Sequence, residues 1–479
     1  MTLRKFAAAL GTFAAAWLLP LPVPQRAVAA TFAAAVLLWV TEGLPLAVTA
    51  LLSTSFLVLL GVMPVAKAFQ AYGDPVIMLF IGSFLLAKAM EVSRLDRRLS
   101  FLLLRYPWAT RTPARLMLSM GATAAVISMF VSNTAVAAML LPIGVGLLSA
   151  LGVQTRGAPY AVGLLLMLTW GASIGGVGTI VGTPPNLIVL SHIFQVTGRR
   201  IGFLEWMVFG IPIMVTMLAG CWVLLRLLYG RRSPSAAQTS EVAAAELRTM
   251  GPLRATERNT MIAFFITLVL WLLPGALDLL WGSQHRLTVL VSTRLDAPVA
   301  ALIGASLLFL LPARGAEEGR ALTWQQAVTI DWGTVLLFGG GIALGRAMFE
   351  SGLAATVGRA AAVLAGSGSL WTVTAISTAL AIFMSELASN TASAATIVPL
   401  AIGLAQGAGV NPIAPALGAG LGASFGFMLP ISTPPNAIIY SSGLIPTWQM
   451  VRTGIIIDAL GFAVVMLWLW LLLPLLGLV

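Results

Sequence analysis

Residues 131–135 read VSNTA and residues 388–392 read ASNTA, each inside a run in which nearly every neighbour is Ala, Val, Met or Leu. Further along, residues 182–186 read GTPPN and residues 432–436 read STPPN. The same two motifs therefore occur in the same order in each half of the chain. This duplication predicts two structurally equivalent halves, each with a polar interruption in an apolar segment.

The composition is that of a protein embedded in lipid. Of 479 residues, 59% are hydrophobic and only 9% are charged, whereas a soluble domain carries about 25% charged residues. Apolar runs long enough to cross a hydrocarbon core about 30 Å thick recur along the whole chain. The alternating segments of a membrane β-barrel are missing. The sequence thus predicts an all-α polytopic membrane protein.

The net charge of +11 comes from arginine clusters between apolar segments. Basic loops at every second crossing follow the positive-inside rule, so these loops and the N-terminus, with Arg4 and Lys5, are expected in the cytoplasm. A multi-pass protein of a bacterial-type cytoplasmic (inner) membrane follows, in contact with lipid and with no role for nucleic acid. The clusters are Arg94, Arg97, Arg98, Arg105, Arg111 and Arg115; Arg226, Arg231, Arg232, Arg248, Arg254 and Arg258; and Arg314 with Arg320.

The cysteine content and the N-terminal segment bear on two further questions, whether the chain has disulfides or thiolate metal sites and whether its first helix is cleaved. Cys221 is the single cysteine, so an intramolecular disulfide is impossible and a metal–thiolate site is not expected. The first thirty residues also match a cleavable signal peptide. The positions of the basic loops favour a first helix that is retained.

Apolar runs between polar breaks predict about eleven transmembrane helices and two re-entrant hairpins. The hairpins are 113–150 and 370–405, each with Ser-Asn-Thr at its tip. Residues 95–108 read as an amphipathic helix along the interface. Two like halves of opposite orientation form an inverted repeat, which is common among secondary transporters. The crossings are expected near 6–20, 27–41, 44–62, 75–92, 159–190, 205–229, 259–277, 296–311, 330–349, 413–440 and 453–477.

The TPPN motifs predict broken helices. Paired prolines remove two backbone donors and block helix continuation, so the chain must unwind just before each pair. Broken helices survive in a membrane only where they line a cavity or are buried in protein. The carbonyl groups freed at Gly182, Thr183, Ser432 and Thr433 are hard oxygen ligands of the kind that bind Na⁺.

The Ser-Asn-Thr tips carry the opposite polarity. If new helices begin at Ala135 and Ala392, the N–H groups just before them hold the positive end of a helix dipole. Such ends bind carboxylate, phosphate or sulfate oxygens, and two facing tips would hold a small dianion. A single such motif is more often an interhelical contact or a kink. The duplication of both motifs favours a binding site.

Other candidates carry weaker signals. Glu386 lies beside the second tip, but its counterpart in the first half is Met129, so proton coupling through it is not favoured. Glu42 and Asp331 flank helix ends at equivalent places and predict capping. His192 and His285 are placed at loops or helix ends and lack a catalytic or metal-binding pattern. The three glycines of residues 339–341 indicate close packing rather than a phosphate loop.

With these motifs the chain resembles the divalent anion/sodium symporter family, the INDY-like dicarboxylate transporters. Residues 39–52 (WVTEGLPLAVTALL) and 331–345 (DWGTVLLFGGGIALG) also resemble helix starts of that family. The resemblance implies a homodimer whose transport domain moves against a scaffold as an elevator. On this chain the implied parts are scaffold 1–112 (with an extra first helix) and 259–366, linker 230–258, and transport domain 113–229 and 370–479.

The resemblance also implies ligand sites around the two tips. The substrate would lie between them, and Na⁺, the coupling ion, would bind twice beside them. Ser128 and Ser385 each stand one helical turn before a tip serine, on the same helix face. The implied substrate residues are Ser132, Asn133, Thr134, Thr183, Pro185, Ser389, Asn390, Thr391, Thr433 and Pro435. The implied Na⁺ ligands are Ser128, Ser132, Asn133 and Gly182, and Ser385, Ala388, Asn390 and Ser432.

The function we expect is Na⁺-coupled symport of a C4-type dicarboxylate such as succinate, malate or fumarate. A Na⁺-independent dicarboxylate exchanger, or a symporter of citrate or sulfate on the same fold, is the alternative. A membrane enzyme would need convergent acid–base or metal residues, which the sequence lacks. A channel fits poorly, because two half-sites suit a carried ligand better than a continuous pore.

Overall fold

The computed structural model describes residues 2–106, 108, 111–153, 155–230, 245, 247–365 and 368–479. Within these ranges every regular element is a helix, apart from an isolated bridge between Pro312 and Arg320. In this part of the chain eight helices are long and apolar enough to cross a membrane, and a pair bent by 67° makes up to nine. The predicted all-α polytopic fold is confirmed.

The helices fall into two groups by their place relative to the duplicated motifs. The tip bundle contains the helices around the motifs, and the flank bundle contains the helices before each set. The flank helices are α1 Thr2–Trp17, α2 Val23–Thr41, α3 Leu46–Leu59, α4 Val65–Gln70, α5 Pro75–Ser93, α6 Leu95–Leu104, α12 Ala255–Trp281, α13 Arg286–Arg294, α14 Ala297–Leu310, α15 Trp324–Ala327, α16 Trp332–Glu350 and α17 Leu353–Ala365. The tip helices are α7 Pro113–Ser128, α8 Asn133–Ala150, α9 Pro159–Gly175, α10 Pro184–Thr197, α11 Phe203–Tyr229, α18 Leu370–Leu387, α19 Asn390–Gly407, α20 Ile413–Gly422, α21 Pro434–Tyr440 and α22 Thr447–Leu472. The last flank helix of each half, α6 or α17, packs mainly on a tip helix, α7 or α19.

The packing repeats between the two halves. In the tip bundle α7 packs on α9 as α18 packs on α20, while α8 meets α21 as α19 meets α10. In the flank bundle α3 packs on α16 as α14 packs on α5. Glycine makes the second pair of contacts possible, since a Cβ on Gly82 would lie 2.7 Å from Ala301 Cβ, and one on Gly340 would lie 2.4 Å from Ala50 Cβ. The halves therefore share these contacts, although α17 packs far more extensively on α19 than α6 packs on α8.

Several helix starts follow from capping residues. Ser132 and Ser389 are the N-caps of α8 and α19, and each Oγ accepts a hydrogen bond from the backbone N–H three residues later, at 3.3 Å in both tips. These bonds satisfy donors that a helix start leaves free. The new helices thus begin at Asn133 and Asn390, and the expected starts at Ala135 and Ala392 are wrong by two residues.

Some sequence-based expectations need correction. His192 is not at a loop or helix end but inside α10, where it is fully buried; His285 is a helix end, the N-cap of α13. Asp331 caps α16 as predicted, yet its counterpart is Asp74, the N-cap of α5. Glu42 instead lies after the C-terminal end of α2, with φ of 47°, so it is not equivalent to Asp331.

The helices α4, α13, α15 and α17 were not predicted. Each lies between two predicted apolar segments, where a loop was expected. Most of the predicted linker, residues 231–244 and 246, lies outside the described residues, and α12 begins at Ala255, within that linker's last residues.

Candidate functional site

The first tip is a helix break closed by its own side chains. Helix α7 ends at Ser128, and α8 starts after a gap of four residues. The Ser128 hydroxyl donates to Asn133 Oδ1 at 2.7 Å, across the break. Ser128 is fully buried, so this bond fixes the asparagine amide at the start of α8.

The second tip repeats this arrangement. The Ser385 hydroxyl lies 2.9 Å from Asn390 Oδ1 and 2.8 Å from the carbonyl oxygen of Ala423, and donates to one of them at a time. Asn390 Nδ2 donates to the carbonyl oxygen of Ser424 at 3.4 Å. The expected one-turn relation between each serine and the tip serine is wrong, because the helix is broken between them; each serine instead contacts the tip asparagine across the break.

The TPPN segments are broken helices as the prolines require. In each copy the two prolines occupy the first positions of a new helix, α10 or α21, where a missing N–H costs nothing. The preceding loop is held by the motif's asparagine. Asn186 Nδ2 donates to the carbonyls of Gly176 and Thr179 at 2.9 and 2.8 Å.

The equivalent asparagine acts in the same way in the second half. Asn436 Nδ2 donates to the carbonyls of Gly426 and Leu429 at 2.9 and 3.1 Å. Both asparagines are fully buried. Sequence reasoning assigned no role to these two residues, although their recurrence within the duplicated motif was a usable signal.

Glycines let the tips approach the broken segments. A Cβ on Gly176 would lie 2.7 Å from Asn133 Oδ1 and 3.1 Å from the carbonyl oxygen of Gly182. A Cβ on Gly426 would lie 3.0 Å from both the hydroxyl and the carbonyl oxygens of Ser385. Neutral oxygens therefore converge where each tip meets its TPPN loop.

Both tips face one cavity of about 1020 Å³. Among the predicted residues that line it are the tip residues of both halves and parts of both TPPN loops: Ser132, Asn133, Thr134, Gly182, Thr183, Ser389, Asn390, Thr391, Thr433 and Pro435. In the first half Pro184, rather than Pro185, lines the wall. Ser128, Ser385, Ala388 and Ser432 are buried and do not border the cavity.

The cavity has a second wall that sequence reasoning missed. It comes from the flank helices, mainly the start of α16 and the face and end of α5. This wall includes Phe80, Phe84, Lys88, Arg94, Thr329, Asp331 and Thr334. No motif marks these positions, because a wall formed by two packed bundles depends on tertiary structure.

One hydroxyl at the cavity lacks a protein partner. Thr433 is 3% exposed, and its Oγ1 forms no hydrogen bond within the described part of the chain. A buried hydroxyl without a partner costs free energy. Its position beside both tips is where a ligand oxygen would satisfy it.

Glu386 has a structural role in the second half. Its two carboxylate oxygens accept the backbone N–H groups of Met428 and Leu429 at 2.8 and 3.1 Å. It therefore holds the loop that precedes STPPN. At the equivalent place Met129 offers only its carbonyl oxygen, which accepts the Thr179 hydroxyl.

Opposite the cavity, the bundles are in tight contact. Helix α10 packs on α16, and a Cβ on Gly345 would lie 2.1 Å from His192 Cε1. The His192 ring also lies edge-on to Phe349, with 6.0 Å between ring centroids. The Ser191 hydroxyl donates to Asp74 Oδ2 at 3.4 Å across the same contact.

A duplicated set of broken helices that meet at one cavity inside an apolar bundle defines a membrane transporter, not an enzyme. The family profile described as the sodium:sulfate symporter transmembrane region matches residues 2–478. The chain belongs to this family.

Comparisons with individual proteins agree with this class. The chain is 31% identical over 445 residues to the sodium-dependent dicarboxylate transporter SdcS of Staphylococcus saprophyticus, covering 91% of this chain and 84% of that protein. SdcS of Staphylococcus aureus MRSA252 gives the same identity and coverage.

Two solved structures are similar in fold. The Alcanivorax borkumensis YdaH transporter has a TM-score of 0.55 at 14% identity, covering 85% of this chain and 86% of that one. Neisseria gonorrhoeae MtrF, from a class of antimetabolite efflux pumps, has a TM-score of 0.52 at 12% identity and covers 84% and 82%. These likenesses concern the fold alone.

Proposed function

We propose that this protein is a Na⁺-coupled symporter of C4-type dicarboxylates such as succinate, malate and fumarate. The observation that carries the proposal is the pair of equivalent Ser-Asn-Thr tips that face one cavity. Each tip presents a helix N-terminus, which favours anionic oxygens. Two such ends in one cavity suit an anion with a carboxylate at each end. The names of the SdcS relatives support dicarboxylate as substrate and Na⁺ as coupling ion.

Two Na⁺ ions would bind behind the tips. In the first half Ser128 Oγ, Asn133 Oδ1 and the Gly182 carbonyl converge around Gly176. The counterpart in the second half is built on Ser385 and Asn390. Neutral hydroxyl, amide and carbonyl oxygens suit a hard cation of low charge. A bound Na⁺ would also fix each tip asparagine, so cation binding and anion binding support one another.

The tip bundle would be the transport domain and the flank bundle the scaffold. In support, the tips and broken helices pack together as one unit, whereas contacts with the flank helices differ between the two sides. Such a unit can move as a rigid body while the flank stays fixed, as in an elevator. We further propose a homodimer in a bacterial-type cytoplasmic membrane, surrounded by lipid.

The open side would face the cytoplasm. Arg94, Arg97 and Lys88 line the cavity at this side, and the positive-inside rule places such loops in the cytoplasm together with the N-terminus. The structure then corresponds to an inward-facing state.

The test is uptake of radiolabelled succinate into proteoliposomes. An inward Na⁺ gradient is compared with equimolar K⁺, with and without succinate inside. Uptake that needs Na⁺ and proceeds into empty vesicles is expected. Uptake only into preloaded vesicles, indifferent to Na⁺, would show an exchanger instead and would refute the Na⁺ sites.

A further inference from the structure

Arg94 occupies a backbone conformation that side chains rarely adopt. It joins α5 to α6 with φ of 62° and ψ of 23°. In this left-handed region the Cβ crowds the backbone, so glycine is the usual residue at such a helix end. A non-glycine residue there indicates that the side chain itself has a use.

The second half of the chain supplies the matching position. Residues 89–95 read AMEVSRL and residues 347–353 read AMFESGL. Gly352 takes the place of Arg94, and its φ is 77°. The same helix-to-helix turn is therefore built with glycine in one half and with arginine in the other.

The Arg94 side chain borders the substrate cavity. It is exposed, it lies at the open end of α5, and within the described residues it forms no ion pair or side-chain hydrogen bond. Its nearest charged neighbours along the chain are already engaged: Lys88 Nζ pairs with Glu91 at 3.1 Å, and Asp96 accepts the N–H of Arg97 at 2.7 Å. The Arg94 guanidinium is thus available to an incoming anion.

We propose that Arg94 guides the dicarboxylate between solution and the tips at the open side of the cavity. The inference rests on the proposed function and adds a residue that neither tip contains. A guanidinium can pair with a carboxylate through two parallel N–H donors. Because the side chain is exposed, it attracts the dianion at long range and releases it easily.

The test replaces Arg94 with glycine, the residue type that Gly352 provides at the equivalent turn of the second half. Arg94→Gly removes the charge and suits the backbone, while Arg94→Lys keeps the charge. Arg105→Ala is the matched control, because Arg105 follows α6 at the end of the same segment and does not line the cavity. Initial succinate uptake is measured over a concentration series at constant Na⁺, at low and at high ionic strength set with N-methylglucamine chloride, in vesicles with the open side outward.

The expected result is charge-dependent and salt-dependent. Arg94→Gly should lower kcat/KM for succinate about three- to tenfold at low ionic strength, and less than about twofold at high ionic strength, where screening acts within a few ångströms. Arg94→Lys and Arg105→Ala should stay close to wild type. Thermal unfolding of Arg94→Gly should occur no earlier than that of wild type.

Other outcomes overturn the inference. Wild-type kcat/KM in Arg94→Gly at low ionic strength, or an equal loss at both ionic strengths, would exclude electrostatic guidance. Wild-type protein without succinate uptake would refute the proposed function, and this inference with it. Wild-type uptake with an indifferent Arg94→Gly variant would refute the inference alone.

Discussion

The two sides of the flank–tip interface are built from equivalent residues and yet differ. On one side α10 packs on the end of α16, with Ser191 bonded to Asp74. On the other side the space beside the end of α5 is a cavity, and the residues that correspond to that bonded pair are Ser441 and Asp331. Ser441 is exposed, and its hydroxyl donates to Ile438 of its own helix.

In the proposed elevator mechanism, this difference corresponds to two alternative states of one repeated contact. Ser441 follows Thr433 at the same spacing as Ser191 follows Thr183, and Asp331 caps α16 as Asp74 caps α5. Local sequence therefore allows the same contact on either side. In the proposed mechanism the tip bundle would exchange one contact for the other, and the opposite-facing state would join Ser441 to Asp331 while Ser191 leaves Asp74.

The largest effect is expected at the two Ser-Asn-Thr tips, which are alike in both halves. Asn133→Ala and Asn390→Ala should each lower succinate uptake about 100-fold or more, because each removes interactions worth about 1–3 kcal/mol apiece, and 1.4 kcal/mol is tenfold in affinity. Uptake in proteoliposomes measures this, with membrane insertion checked by size-exclusion chromatography. Asn411→Ala is the matched control: it removes the bond from Asn411 Nδ2 to the carbonyl oxygen of Leu478 and the bond from the N–H of Ile413 to Asn411 Oδ1, and Asn411 does not line the cavity. Near-normal uptake in either tip variant would show that the tips do not share the ligand.

The next effect in size is expected from a disulfide across the closed side of the flank–tip interface. In a Cys221→Ala background, Asp74→Cys with Ser191→Cys should form a disulfide in the state described here, because the native side-chain oxygens lie 3.4 Å apart. Transport should be lost and return on reduction. Uptake and the gel shift of the cross-linked protein are the measurements.

The matched pair tests the other side. Asp331→Cys with Ser441→Cys should cross-link only as molecules reach the opposite-facing state, hence more slowly and in a Na⁺-dependent way. Equal rates for the two pairs, or active cross-linked protein, would contradict the exchange of contacts.

A packing change should give a smaller effect. Gly345→Ala places a Cβ against the His192 ring, and overpacking of this kind costs about 1–3 kcal/mol. The cost falls on the closed contact, so the populations of the two states should shift and uptake should fall about tenfold. In the other half the equivalent residues are Ala87 and Ser442.

The control uses the residue types found at the equivalent positions of the other half, alanine at Ala87 and serine at Ser442. Adding His192→Ser to Gly345→Ala copies that pair and should restore most of the uptake. An unchanged uptake in Gly345→Ala alone would mean that this contact does not limit movement.

The smallest effect concerns stability. Burial raises the pKa of Asp96 to about 6, with the nearby Glu91 raising it further and the backbone N–H of Arg97 lowering it. Between about pH 4 and pH 6 the folded protein keeps a proton on Asp96 that the unfolded protein has released. The contribution of Asp96 to the free energy of unfolding therefore falls as the pH rises through this range. The corresponding residue of the other half is Ala354. Asp96→Ala should therefore gain stability relative to wild type between pH 4 and 7, by about 1–3 kcal/mol, in thermal unfolding; a pH-independent difference would exclude the buried carboxyl as its cause.

How far the sequence predicts this molecule depends on the type of signal. The duplicated motifs predicted both broken helices and the tips, because paired prolines and polar interruptions act locally on helix geometry. Ser128 and Ser385 were expected one turn behind the tip serines on a common helix, whereas they reach the tip asparagines across a break. The flank wall of the cavity was missed, since Phe80 and Asp331 reach it only through packing of separate bundles. His192 was misplaced because α10 continues beyond the apolar run that follows TPPN.

The size of the cavity has a pharmacological consequence. At about 1020 Å³ it matches the upper end of sites that hold drug-sized molecules, about 300–1000 Å³. A bulky dicarboxylate could therefore engage both tips while its remaining groups stay wedged against Phe80 and Phe84. Such a compound would block rather than be carried, and it would compete with the natural anion only when applied from the side where the cavity opens.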